Sequence, residues 1–155
     1  MWAYGVSSLI KAKPEGFVLC YHSISDDGWE FSVTFNEFKK QIEYLLQNYI
    51  PCSVEDFANY LDGKKTFEKP FFLITFDDGY KSIFQTSDYL AGKGINPLSF
   101  LLSATKRANI SEMEYAKPFL IPEEIKELKN IGWDFGCHSA THADFNKLSE
   151  KDIQT

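Results

Sequence analysis

The sequence predicts an α/β fold built on a mainly parallel sheet. Three observations lead there. Short runs of β-favouring residues alternate with amphipathic helical stretches along the chain. One run, Phe71–Phe76, is apolar without alternation, as a strand covered on both faces must be. Candidate reactive side chains, His22, Asp77 and His138, fall where strands end, on the side where right-handed crossovers gather all strand C-termini.

Taken in order, residues 17–22 read as a first strand, rich in aromatic and branched types. A polar loop with Asp26-Asp27-Gly28 follows. Thr34 and Glu37 have the spacing of a capping box, and Phe35, Phe38, Ile42, Leu45, Leu46 and Tyr49 form one apolar helical face. Residues 50–52 are a short strand or bridge. Ser53 and Asp56 start a second helix that runs to about Leu61, and residues 62–65 turn. After the buried run, residues 80–91 read as helix, stopped by Gly92 and Gly94. Residues 97–102 are a further buried strand, and residues 103–119 a polar, irregular loop. Pro122 suits the first turn of a helix whose apolar face is Ile125, Leu128 and Ile131, and Gly132 ends it. Residues 133–137 form the last strand, with His138 directly after it.

Composition bounds the function. The 155 residues are enough for one domain with a core, 44% are hydrophobic and 16% aromatic, which is a globular composition. The net charge of −6 and the lack of a long Lys/Arg run argue against nucleic acid as a partner. Cys20, Cys52 and Cys137 are odd in number and widely spaced, so a disulfide framework is not expected. In strand-like runs Cys20 and Cys137 read as small buried hydrophobes. No segment reaches the ~18 apolar residues that span a bilayer. Residues 1–14 lack the apolar core of a signal peptide. Reduced cysteines and the missing leader predict a cytoplasmic location.

Two short motifs carry the chemistry. Asp77-Asp78-Gly79 follows the buried strand, and His138-Ser139-Ala140-Thr141-His142 follows the last one. Adjacent side chains of a strand face opposite ways, so one carboxylate can reach an ion while its neighbour faces a substrate. His138 and His142 can share one ion if a tight turn brings them round. Ser139 and Thr141 suit that turn and can orient an imidazole. Two imidazoles and one carboxylate leave coordination positions open, which is the layout of a catalytic rather than a structural site. An ion so held acidifies water and polarises a carbonyl, and the remaining carboxylate serves as base. The donor set suits zinc, and also cobalt, nickel or iron.

The order Thr75-Phe76-Asp77-Asp78-Gly79, then His138-Ser139-Ala140-Thr141-His142, resembles the polysaccharide deacetylases of the NodB-homology type, carbohydrate esterase family 4. The flanks are similar too. Leu19-Cys20-Tyr21-His22-Ser23-Ile24 looks like that family's first strand. The run from Gly94 to Leu101 looks like a later strand, and the stretch from Ile121 to Trp133 like the lead-in to the second motif. The likeness covers about residues 17–148.

It implies a distorted (β/α) barrel and metal-dependent removal of N- or O-acetyl groups from a glycan. It further implies Asp77 as general base, and Asp78, His138 and His142 as the ligands of one divalent ion. It gives His22 no role. The substrate it implies is an acetylated amino-sugar polymer or its lipid-linked precursor. Trp29, Tyr80 and Trp133 are of a type that stacks on sugar rings, but packing in the core or at its rim is the expectation for each.

The family's later motifs, one with an Arg and a Pro-Tyr segment and one with a Leu-x-His general acid, do not occur before Thr155. The sequence therefore predicts the N-terminal part of a deacetylase domain, residues 1–155, with an unclosed barrel and no histidine left to act as the acid. A second reading follows, a remnant that binds metal or glycan without turnover. A glycoside hydrolase using Asp77 with another carboxylate is a weaker third, because adjacent strand residues do not face each other across a bond.

Overall fold

The computed structural model describes residues 15–108 and 118–153. Its strands are β1 (Gly16–Tyr21), β2 (Ser23–Ile24), β3 (Ser32–Val33), β4 (Ile50–Pro51), β5 (Phe71–Phe76), β6 (Leu98–Leu101) and β7 (Asp134–Cys137). The helices are α1 (Phe35–Asn48), α2 (Val54–Leu61), α3 (Ser87–Gly92), α4 (Pro122–Asn130) and a single turn, α5 (Glu150–Ile153). The readings made for residues 1–14 and for residues 109–117 of the long loop lie outside the described residues.

All pairings of the main sheet are parallel, in the order β1-β5-β6-β7, with β4 also on β5. β5 is central. β1 runs beside it from Gly16↔Phe71 to Tyr21↔Phe76. Its other edge is shared by β4 at Phe71 and Phe72 and by β6 at Thr75 and Phe76. β1 and β7 end the order, and among the described residues the sheet is open.

Strand periodicity divides the core. Phe72, Ile74 and Phe76 lie on one face with Tyr21, Phe38, Ile42, Leu90, Leu128 and Trp133. Phe71 and Leu73 face the other way, onto Cys52 and Phe67, with Phe57 and Tyr60 of α2 beside them. Residues two apart on a strand share a face, so Thr75 and then Asp77 continue the Phe71–Leu73 side. The same register sets Cys20 opposite Thr75.

α1 forms as its cap and face predict. Thr34 Oγ1 accepts from the Glu37 N–H at 3.2 Å, and Glu37 Oε2 accepts back from the Thr34 N–H at 3.3 Å. Phe38, Ile42 and Leu45 are buried, with Phe35, Leu46 and Tyr49 packed at the margin. Hydrogen bonds from the Thr34 side chain and backbone hold the Glu37 carboxyl below its ordinary range. Replacing Thr34 with alanine is expected to lower stability by about 1 kcal/mol, read from the urea midpoint. Because the Glu37 shift is downward, the carboxylate's part of the box is fully present above the ordinary glutamate range and is lost as pH falls below that range. The gap between the two proteins should narrow in acid but not vanish, because the bond from the Glu37 N–H to Thr34 Oγ1 does not depend on the carboxylate.

Three expectations change. Residues 80–91 do not make one helix: a 3₁₀ stretch, Lys81–Thr86, precedes α3. That tighter winding holds Ser82 Oγ to the Ile24 N–H at 3.2 Å and Gln85 Nε2 to the Ile24 carbonyl at 2.7 Å, tying the turn to β2. β6 is less buried than a central strand, with only Ser99 fully covered, because its neighbour β7 is a short edge strand with exposed ends. Cys20 and Cys137 are exposed, and only Cys52 is buried. The cover over Phe71 and Leu73 stops short of β1, where Val18 is 45% exposed, and Cys137 ends an edge strand. Among the described residues no helix is long and apolar enough to cross a membrane.

Candidate metal centre

Past Phe76 the chain leaves β5 and bends sharply. Asp78 has φ +68° and Gly79 φ +73°, both in the left-handed region. Asp is one of the few side chains that visits this region readily, and at Gly79 a Cβ would lie 2.5 Å from a Leu101 methyl. The two aspartates part company because of this bend, rather than by the strand alternation the sequence suggested. Asp77 still donates its N–H to the Tyr21 carbonyl at 2.9 Å and stays beside β1. Asp78 turns inward and is 3% exposed.

The second motif folds to meet it. His138 remains in register, its N–H donating to the Leu101 carbonyl at 2.8 Å. Ser139 and His142 have φ of +65° and +59°, and Ser139 Oγ accepts from the His142 N–H at 3.0 Å. The Ser103 and Ala104 N–H groups brace the turn from behind, donating to the carbonyls of Ser139 and Ala140. Ser139 thus acts on the backbone of the turn.

The two imidazoles converge on one oxygen. His138 Nε2 is 3.4 Å and His142 Nε2 3.5 Å from Asp78 Oδ1. That oxygen is buried and has no hydrogen-bond partner among the described residues. A buried carboxylate oxygen left unpaired costs free energy. A divalent ion would relieve that cost. Donors at 2.0–2.1 Å from a tetrahedral ion stand about 3.3 Å apart, so the spacing fits zinc-class ligation without rearrangement. Asp78, His138 and His142 are therefore a candidate ligand set, open on the imidazole side, where both rings are one-third exposed.

A second cluster lies alongside. The ligand atoms of Cys20, His22 and Asp77 are all within 4.8 Å of one another. His22 directly follows β1, two residues after Cys20, and the Cys20↔Thr75 register brings Asp77, two residues after Thr75, alongside. Burial, and then the Asp77 carboxylate, push the Cys20 thiol up to about 11, so it is not an activated nucleophile. His22, to which the resemblance gives no role, stands next to Asp77. The signal was in the sequence, since His22 ends a strand, but only the β1–β5 register reveals which group it faces.

Of the two readings open for Trp29, Tyr80 and Trp133, sugar stacking or packing, the structure shows packing. Trp29, Tyr80 and Trp133 are 8%, 0% and 3% exposed. Trp29 meets Tyr80 edge-on at 5.6 Å, Tyr80 stacks on Phe119 at 5.4 Å, and Trp133 stacks on Phe76 at 5.3 Å. Burial, and then Asp78, raise the Tyr80 phenol above its ordinary value. Phe31, which the sequence did not single out, is 48% exposed with its ring 5.4 Å from that of His22.

The sequence model of the polysaccharide deacetylase family matches residues 64–155, a span that holds Asp77, Asp78, His138 and His142. The chain belongs to the polysaccharide deacetylase family. No curated protein matches this deacetylase-family chain. Among solved structures, IcaB from Ammonifex degensii aligns with a TM-score of 0.70 at 24% identity, over 90% of this chain and 57% of that one. The deacetylase PplD of Streptococcus pyogenes, in complex with acetate, gives 0.69 at 19%, over 92% and 63%. A de-N-acetylase from Aggregatibacter actinomycetemcomitans gives 0.62 at 20%, over 80% and 53%. At these identities the likeness establishes the fold. The chain spans between about half and two thirds of the length of each.

Proposed function

We propose that this polysaccharide deacetylase family chain is the site-bearing part of a metal-dependent enzyme that hydrolyses N- or O-acetyl groups of an amino-sugar glycan, with residues 1–155 belonging to one deacetylase domain. The observation that carries the reading is the orphaned Asp78 Oδ1 with His138 and His142 Nε2 aimed at it, beside a separate carboxylate, Asp77. We assign Asp78, His138 and His142 to one divalent ion, zinc being the first choice for such a donor set, with cobalt, nickel or iron also suited. When bound, the ion supplies Lewis acidity to water and to an acetyl carbonyl.

The chain's own groups do the rest. Asp77 takes a proton from the attacking water as its oxygen bonds to the acetyl carbon. His22, the imidazole beside Asp77, gives a proton to the departing sugar nitrogen or oxygen as that bond breaks. Acetate and a free amine or hydroxyl result. The complex of PplD with acetate is in keeping with that product. Phe31 offers an open ring at the rim against which a sugar can stack.

The test is acetate release from acetylated oligosaccharides of amino sugars by the purified chain, before and after chelation. Turnover is expected to vanish with a chelator and to return with zinc, cobalt or nickel. Hydrolysis that survives full chelation excludes metal dependence. An ion bound without acetate release favours binding of metal or glycan without turnover.

A further inference from the structure

We propose that Cys20, His22 and Asp77 form a second, inhibitory site for a zinc-class divalent ion, and that filling it disables the proton-transfer groups beside the first ion. The inference rests on the assignment of Asp77 and His22 as base and acid. It deepens that reading by adding a means of regulation to the same centre.

One sulfur, one imidazole nitrogen and one carboxylate oxygen stand within 4.8 Å of one another. This mixed donor set is one that zinc accepts, and its thiolate disfavours magnesium and calcium. The cluster shares no residue with Asp78, His138 and His142, so two ions can be held without competition for ligands. Its geometry is fixed by the sheet. Cys20 is on β1 and His22 directly follows that strand, while the pairing of Cys20 with Thr75 and the Asp77 N–H bond to the Tyr21 carbonyl hold Asp77 alongside. Cys20 is a free cysteine whose Sγ lies 3.9 Å from the Tyr21 carbonyl. Cys20 is exposed and His22 and Asp77 are part-exposed, so an ion can enter from solvent.

The consequence follows from the ligands. A carboxylate engaged by a cation is a poorer proton acceptor, and an imidazole whose nitrogen ligates a cation cannot carry a proton there. The first ion therefore supports hydrolysis, and excess ion suppresses it.

Cobalt titration of the purified chain tests this without reference to turnover, because thiolate ligation adds sulfur-to-cobalt charge-transfer absorption in the near ultraviolet. Two equivalents should bind, with the charge-transfer band present. Cys20→Ser should lose the band and bind one equivalent. Cys137→Ser, which removes the exposed thiol next to His138, should keep both, and Asp78→Asn should keep the band. Acetate release by the parent should fall at least tenfold in excess zinc, and Cys20→Ser should resist that fall. Binding of a single equivalent, absence of the band, or a band that survives Cys20→Ser overturns the proposal. If the band behaves as expected but no acetate is released at any metal concentration, the second site stands and the deacetylase reading fails.

Discussion

An Asp78→Asn chain is expected to fold and to lose the divalent ion that the parent binds. Asparagine tolerates the left-handed backbone found at Asp78, so the bend survives the substitution. What changes is the buried Oδ1 toward which both imidazoles point. Removing a group that merely supports a ligand costs about 10–100-fold in metal affinity, and removing an anionic ligand itself should cost more. Stability will separate this effect from simple damage. In the ion-free protein the variant should be as stable as the parent or more so, since it no longer buries an unpaired carboxylate oxygen. With ion at 100 times its dissociation constant the parent should gain about 2.7 kcal/mol, and the variant almost nothing. Thermal melts with and without zinc, beside elemental analysis, decide the matter. A variant that keeps a full equivalent of ion and the full thermal gain would refute the ligand assignment.

Asp77→Asn should do the reverse, keeping ion and fold while stopping turnover. Asp77 belongs to the other cluster, which shares no residue with the Asp78, His138 and His142 set. An amide in its place cannot take the proton from water, and losing a positioned base costs ~10²–10⁴ in rate. Acetate release per bound ion, measured in the parent and the variant, reads this directly. Equal release from both would remove Asp77 from the chemistry. The pair of substitutions tests the division of labour between neighbouring carboxylates: one abolishes binding of the ion, the other only what happens beside it.

Much of the fold was legible because its signals are local. The capping box at Thr34 and Glu37, the Ser53 cap, the proline at position 122 and the helical spacing of Phe38, Ile42 and Leu45 each act within a turn or two of chain. The unbroken run from Phe71 to Phe76 announces a central strand for the same reason. The misreadings concern cover supplied from elsewhere. Cys20 sits in a strand-like apolar run and Trp29 in a polar loop, yet the first is exposed and the second buried. The cover beside β5 stops before β1, whereas Tyr80 and Phe31 pack against Trp29. No property of either residue's own neighbours in sequence predicts those outcomes.

By itself the sequence determined the parallel α/β architecture, the residues eligible to hold an ion and the family, since periodicity, residue chemistry and motif order are all written along the chain. Which eligible residues meet was decided only in three dimensions. Left-handed backbone at Asp78, Ser139 and His142 brings two imidazoles to within 3.5 Å of a carboxylate oxygen from a segment some sixty residues earlier. The β1–β5 register, set by the burial of alternate side chains, places His22 and Cys20 against Asp77. Both are consequences of packing between segments distant in sequence, where a shift of one residue in register would turn those side chains to the opposite face.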